Sequence, residues 1–192
     1  MRTAGQRHTY SSIAFNRKSH AARRRLLRRT GRLPMIRNRK PSDDTELVRL
    51  IRAELIPLSY TARPLDAHMI RELPLRFRNG VTYVATSSKL GPPVAFIHFY
   101  VHGTETVIDM LVTNPEYRGQ RLGTTLMAYA EAYGKARGCQ AARLFVDRIN
   151  VRAHRFYNKL GFGTIRYLPE VQCYELLKPL TSPSALPVSN TR

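Results

Sequence analysis

The chain has 192 residues, 43% of them hydrophobic, and a net charge of +19. This composition excludes a low-complexity polymer, and the length suffices for one domain with a substantial core. Its two cysteines, Cys139 and Cys173, exclude a disulfide framework and lack metal-site spacing, so both are expected as buried thiols and no metal is expected. No apolar run approaches the roughly 18 residues of a membrane span.

The charge is unevenly placed. Residues 1–40 hold 13 Lys and Arg and no acid, whereas the remaining 152 hold 19 basic and 13 acidic residues. Residues 1–34 include Arg23, Arg24, Arg25, Arg28 and Arg29 and few large apolar side chains, so they are expected to be a disordered extension. Three roles stay open for them: sequence upstream of a start at Met35, a basic arm touching nucleic acid or an anionic surface, or an Arg-rich transit peptide. The last would place the protein in the mitochondrial matrix; the expectation without it is the cytoplasm.

A single domain is expected over residues 35–178. A short strand opens it at Met35, and Pro41 to Asp44 reads as a helix start, with Asp43 and Glu46 spaced as in a capping box. Leu47, Leu50, Ile51 and Leu55 form one apolar face before Pro57 ends the helix. A second helix is expected over residues 66–77, broken by Pro74. Residues 81–86 and 94–101 read as strands separated by a turn-rich stretch.

Val107 to Val112 is an apolar run interrupted only by Asp109, as in a central strand buried on both faces. Asn114 and Pro115 stop it. From Leu122 the apolar residues Leu126, Ala130 and Tyr133 fall at helical spacing, and Gly138 ends the helix. Between strand and helix lies the small, basic stretch Arg118-Gly119-Gln120-Arg121. Unpaired N–H groups at a helix start, a positive dipole end and glycine together make an anion site, so this turn reads as a binder of phosphate or pyrophosphate. Another strand follows at residues 141–146. A helix then starts near Asn150, with Ala153, Phe156, Tyr157 and Leu160 inward and Gly161 as its stop. Strands at 162–166 and 171–177 close the domain, and the Ser- and Pro-containing tail 179–192 reads as loose. Strands first, then strand, loop, helix and strand, imply a mixed α/β sheet with helices on its faces.

Two stretches carry a family resemblance. Arg118-Gly119-Gln120-Arg121-Leu122-Gly123 resembles the acyl-CoA-binding motif Arg/Gln-x-x-Gly-x-Gly/Ala of the GNAT superfamily of N-acyltransferases, with Arg121 at the place of the middle glycine. Asn150, Ala153, Phe156, Tyr157, Leu160, Gly161 and Phe162 match a second GNAT pattern with its spacing. The resemblance implies a central mixed, mostly antiparallel sheet and direct transfer of an acetyl group from acetyl-CoA to an amine. It implies that Arg118, Gly119, Gln120, Arg121, Leu122, Gly123 and Thr124 hold the pyrophosphate. Leu111, Val112 and Thr113 would bond the pantetheine arm through their backbone, Asn150 would assist or serve as a helix cap, and Tyr157 would protonate the leaving thiolate.

No general base is obvious. Some relatives that acetylate protein N-termini carry glutamate where Phe145 stands here. Asp109 is the foremost substitute if it faces the cleft, with His98, His102 or a water relay as further candidates. The acceptor is a small-molecule or protein amine; polyamines and aminoglycosides, being cationic, fit a basic domain least well. Two other classes stay open: a catalytically silent CoA-binding module, and a nucleic-acid-binding protein acting through residues 1–40.

Overall fold

The computed structural model describes residues 34–60 and 66–181. The expectations for the basic segment and for most of the tail lie outside the described residues. Seven strands form one sheet: β1 (Met35–Asn38), β2 (Val81–Thr86), β3 (Pro93–His102), β4 (Glu105–Thr113), β5 (Ala141–Asp147), β6 (Gly163–Leu168) and β7 (Cys173–Pro179). Their order is β1-β2-β3-β4-β5-β7-β6, with every neighbour antiparallel except the parallel pair β4–β5. The mixed, mostly antiparallel sheet is the expected architecture.

Among the described residues, four helices flank it: α1 (Asp44–Leu50), α2 (Asp66–Arg78), α3 (Leu122–Lys135) and α4 (Val151–Lys159). Period-two alternation along β3 and β4 sends apolar side chains to both faces. On one face Leu126, Met127 and Ala130 of α3 and Tyr157 of α4 share a core with Ile97, Phe99, Ile108, Leu144 and Leu176. On the other, Leu47 and Leu50 of α1 and Leu73 and Phe77 of α2 close on Val84, Phe96, Met110 and Val112. Each such fully buried Leu, Ile or Phe contributes about 1.5 to 3 kcal/mol of transfer free energy.

Three local expectations are corrected. Asp43 does not pair with Glu46 in a capping box; its carboxylate accepts from Lys40 N at 2.7 Å and from Arg37 at 2.7 and 2.9 Å, while Glu46 takes Arg49. Helical structure runs through both prolines: α2 continues past Pro74, anchored by Leu73 and Phe77, and the chain after α1 passes through a π turn (Ile51–Leu55) into a 3-10 turn (Ile56–Leu58) that includes Pro57. Bonding also extends past residue 178, since Leu180 is buried and its N–H donates to Gln140 O at 2.7 Å.

Two irregularities shape the centre of the sheet. His98 pairs Met110 and Phe99 pairs Ile108, so Asp109 is an extra, bulged residue of β4. The parallel pairing of β4 with β5 stops at Ile108 and Leu144; the strands run on to Thr113 and Asp147 unpaired with each other. They splay apart, and the cleft opens at that parting.

Candidate active site

The cleft has a volume of about 760 Å³. Its floor is the end of β4, Leu111 to Thr113; one side is the turn and start of α3, with Arg118, Gly119 and Arg121 to Thr124; another is the start of α4, Ile149 to Ala153, with Phe156 and Tyr157. Residues 53–55, Pro57 and Leu58 form the remaining wall. On the β5 side, the ladder groups of Leu111 to Thr113 have no strand partner, because β5 has diverged. Backbone donors and acceptors are thus offered to whatever fills the cleft.

The turn between β4 and α3 has unusual backbone geometry. Gly119 has φ +75° and Arg121 φ +61°, both left-handed. Arg121 is also the N-cap of α3, whose first N–H groups have no intrahelical acceptor. The left-handed conformation explains why glycine suits this position; arginine occupies it at a cost of about 1 kcal/mol. Gly123 packs tightly as well, since a Cβ there would stand 3.2 Å from Phe156 Cζ.

Arg118 is held rather than free. Its Nε–H donates to Thr113 O at 3.2 Å, and its other guanidinium nitrogen pairs with Glu54 on the π turn. Asn150 caps α4, its side chain accepting from Ala153 N at 3.1 Å, and it lines the cleft too. Tyr157 is 7% exposed, packed against Phe156 and Phe162 with ring centroids 5.2 and 5.9 Å away. Burial pushes its phenol well above the ordinary tyrosine range, which keeps the proton on the oxygen at any physiological pH.

Of the residues singled out in the sequence, the cleft brings together Leu111, Val112, Thr113, Arg118, Gly119, Arg121, Leu122, Gly123, Thr124, Asn150 and Tyr157. Gln120 sits in the turn but is not among the lining residues. Asp109 is not among them either. The bulge places it with Arg76 of α2, which it ion-pairs, and its Oδ2 lies 3.9 Å from His98 Nε2. His98 is buried with Nδ1 2.9 Å from Thr82 Oγ1, and His102 lies exposed at the far end of β3. The sequence reading missed Glu54, Leu58 and the other residues of the 53–58 wall, and nothing in their pattern marks them; only the fold carries this segment across the sheet.

The fold and its cleft define an α/β protein with a split central sheet and a cleft lined by the start of the helix that follows β4. The chain belongs to the acetyltransferase (GNAT) family, whose model matches residues 47–162. Among curated relatives it is 33% identical over 69 residues to spermidine N(1)-acetyltransferase of Thermoplasma acidophilum, a match covering 36% of this chain and 43% of that one. It is 32% identical over 68 residues to aminoalkylphosphonate N-acetyltransferase of Salmonella typhimurium, covering 34% of this chain and 44% of that one. The matches thus span less than half the length of these relatives. The fold is shared with PaiA N-acetyltransferase of Thermoplasma acidophilum, solved in complex with coenzyme A, at a TM-score of 0.65 and 20% identity over 77% of this chain and 99% of that one.

Proposed function

We propose that this chain is an N-acetyltransferase that uses acetyl-CoA as donor and transfers the acetyl group directly to an amine. The observation that carries the reading is the meeting, in one cleft, of the left-handed turn at Gly119 and Arg121, the freed edge of β4 and the buried phenol of Tyr157. The donor supplies an activated acetyl group as a thioester. The N–H groups of residues 119 and 121–124 would hold its pyrophosphate, with Arg121 adding charge. The freed edge at Leu111 to Thr113 would bond the pantetheine amides and polarise the thioester carbonyl, with Asn150 fixing the start of α4 alongside.

As the amine nitrogen bonds to the carbonyl carbon and the carbon–sulfur bond breaks, the Tyr157 hydroxyl gives its proton to the departing sulfur and is later reprotonated from solvent. The proton released by the nitrogen leaves through water in the open cleft, because Asp109 is engaged with Arg76 away from the lining. Glu54 is the one acid among the described lining residues, and Arg118 already neutralises it. The acceptor is therefore an amine that carries an acidic or neutral body, closer to an aminoalkylphosphonate than to spermidine.

The test is calorimetric titration of acetyl-CoA into the full chain, followed by an amine screen with Tyr157→Phe alongside. Micromolar binding is expected, with turnover of aminoalkylphosphonate exceeding that of spermidine. Tyr157→Phe should bind acetyl-CoA as wild type does and lose about 100-fold or more in kcat. A folded chain that does not bind acetyl-CoA sinks the reading.

A further inference from the structure

The wall formed by residues 53–58 is tied to both arms of the splayed sheet. At one end Glu54 pairs with Arg118, just beyond β4; at the other, Tyr60 N donates to Asp147 Oδ1 at 2.7 Å, at the end of β5. Pairing between β4 and β5 has ceased there, so these two contacts bridge the gap that the parting strands leave. The first of them occupies the arginine that the sequence assigns to pyrophosphate. Its Nε–H is spent on Thr113 O and a second nitrogen on Glu54, so the guanidinium is turned toward β4 and the π turn. The turn keeps other donors for an anion without it, since the first N–H groups of α3, after the left-handed Arg121, have no intrahelical acceptor.

We infer that Arg118 and Glu54 are a positioning pair: the Arg118 side chain acts on the donor through Glu54, by fixing the 53–58 wall against the end of β4, and not by contacting the pyrophosphate. This rests on the acyltransferase reading above. A carboxylate placed beside a direct phosphate ligand would compete with the phosphate for it, and removing that carboxylate would then tighten donor binding. A carboxylate that holds the wall has the opposite effect on removal. The two roles differ in sign.

The experiment measures the acetyl-CoA Kd of the full chain for wild type, Glu54→Gln, Arg118→Lys and the double variant, with thermal melting to establish that each is folded. The pair predicts that Glu54→Gln weakens binding about three- to tenfold. Arg118→Lys, which keeps the charge but cannot reach Thr113 O and Glu54 together, weakens it to a similar extent. The double variant is no worse than either single one, because all three break one unit. With the acceptor from the amine screen, KM for acetyl-CoA rises while kcat stays within about twofold, since Tyr157 is untouched. Unchanged or tighter binding by Glu54→Gln, retention of affinity by Arg118→Lys, or additive losses overturn the inference and make Arg118 a direct phosphate ligand. Wild type that fails to bind acetyl-CoA overturns the acyltransferase reading itself, and the inference with it. If Glu54→Gln does not fold, Glu54→Ala is measured in its place and read by the same sign.

Discussion

Two single residues carry costs that experiment can expose. Arg121 pays for its left-handed φ of +61°, which glycine adopts freely, but glycine is also freer in the unfolded chain. These terms nearly cancel, so Arg121→Gly should unfold within about 0.5 kcal/mol of wild type, whereas the β-branched Arg121→Val should lose about 1 to 2 kcal/mol in denaturant titration. Equal losses would mean that the arginine side chain, not the backbone, stabilises the turn. His98 is the second case. Burial lowers its pKa, with Arg76 and Arg39 pressing the same way and Asp109 and the backbone at Val81 opposing. As pH falls below the unfolded value of about 6.5, the unfolded chain takes up a proton that folded His98 resists, so stability drops through that window and is flat above it. Denaturant midpoints at pH 7.5 and 5.0 should therefore differ more for wild type than for His98→Gln, whatever the substitution costs at neutral pH; equal differences would place the acid sensitivity elsewhere.

At the scale of elements, the helix that carries the anion turn is fixed by one close approach. A Cβ added to Gly134 of α3 would stand 1.9 Å from Thr106 Oγ1 and 3.1 Å from Thr106 Cβ, on β4. Gly134→Ala must push the end of α3 off the sheet, at a cost of about 1 to 3 kcal/mol, and the displacement should also weaken acetyl-CoA binding at the other end of the helix. Thr106 Oγ1 is buried without a hydrogen-bond partner. Thr106→Ala should thus cost little on that account and recover part of the Gly134→Ala loss when combined with it, a coupling readable from four melting curves. Strictly additive losses would show that the two residues do not meet. The same element shows what the sequence made legible. Helical spacing, the apolar run of β4 and the glycines of the turn are local signals, and they placed α3, α4 and the turn between β4 and α3 correctly. The bulge at Asp109, the close contact of Gly134 with Thr106 and the wall containing Glu54 arise from pairings between residues far apart in sequence. Local periodicity cannot report them, and the bulge is what separates Asp109 from the cleft.

For the whole molecule, positive charge is spread unevenly along the chain. Both described cores and the cleft draw on residues between Ile36 and Leu180, within a compact unit that begins at Pro34. Within that unit, the half of the sheet from β4 to β6 carries a ladder of alternating charges: Glu105 accepts from Arg143 at 2.6 Å, Arg143 also pairs with the buried Glu175, and Arg166 reaches Glu175 at 2.5 Å. These pairs neutralise part of the unit's charge, which from Pro34 onward is 22 Lys and Arg against 13 acids; the other ten basic residues fall within residues 1–33, which contain no acid. Removing residues 1–33 subtracts ten basic residues and leaves every residue of the two described cores in place. The chain from Pro34 onward is expected to melt within about 2 to 4 °C of the full chain, the shift that roughly 1 kcal/mol produces at this size. At 0.15 M salt, where the Debye length is about 8 Å, acetyl-CoA should bind both forms within about twofold. At low salt the full chain should bind the polyanionic donor more tightly, because its excess positive charge raises the local potential. A difference that persists at high salt would mean that residues 1–33 contact the donor, and a shortened chain that does not fold would make them part of the domain.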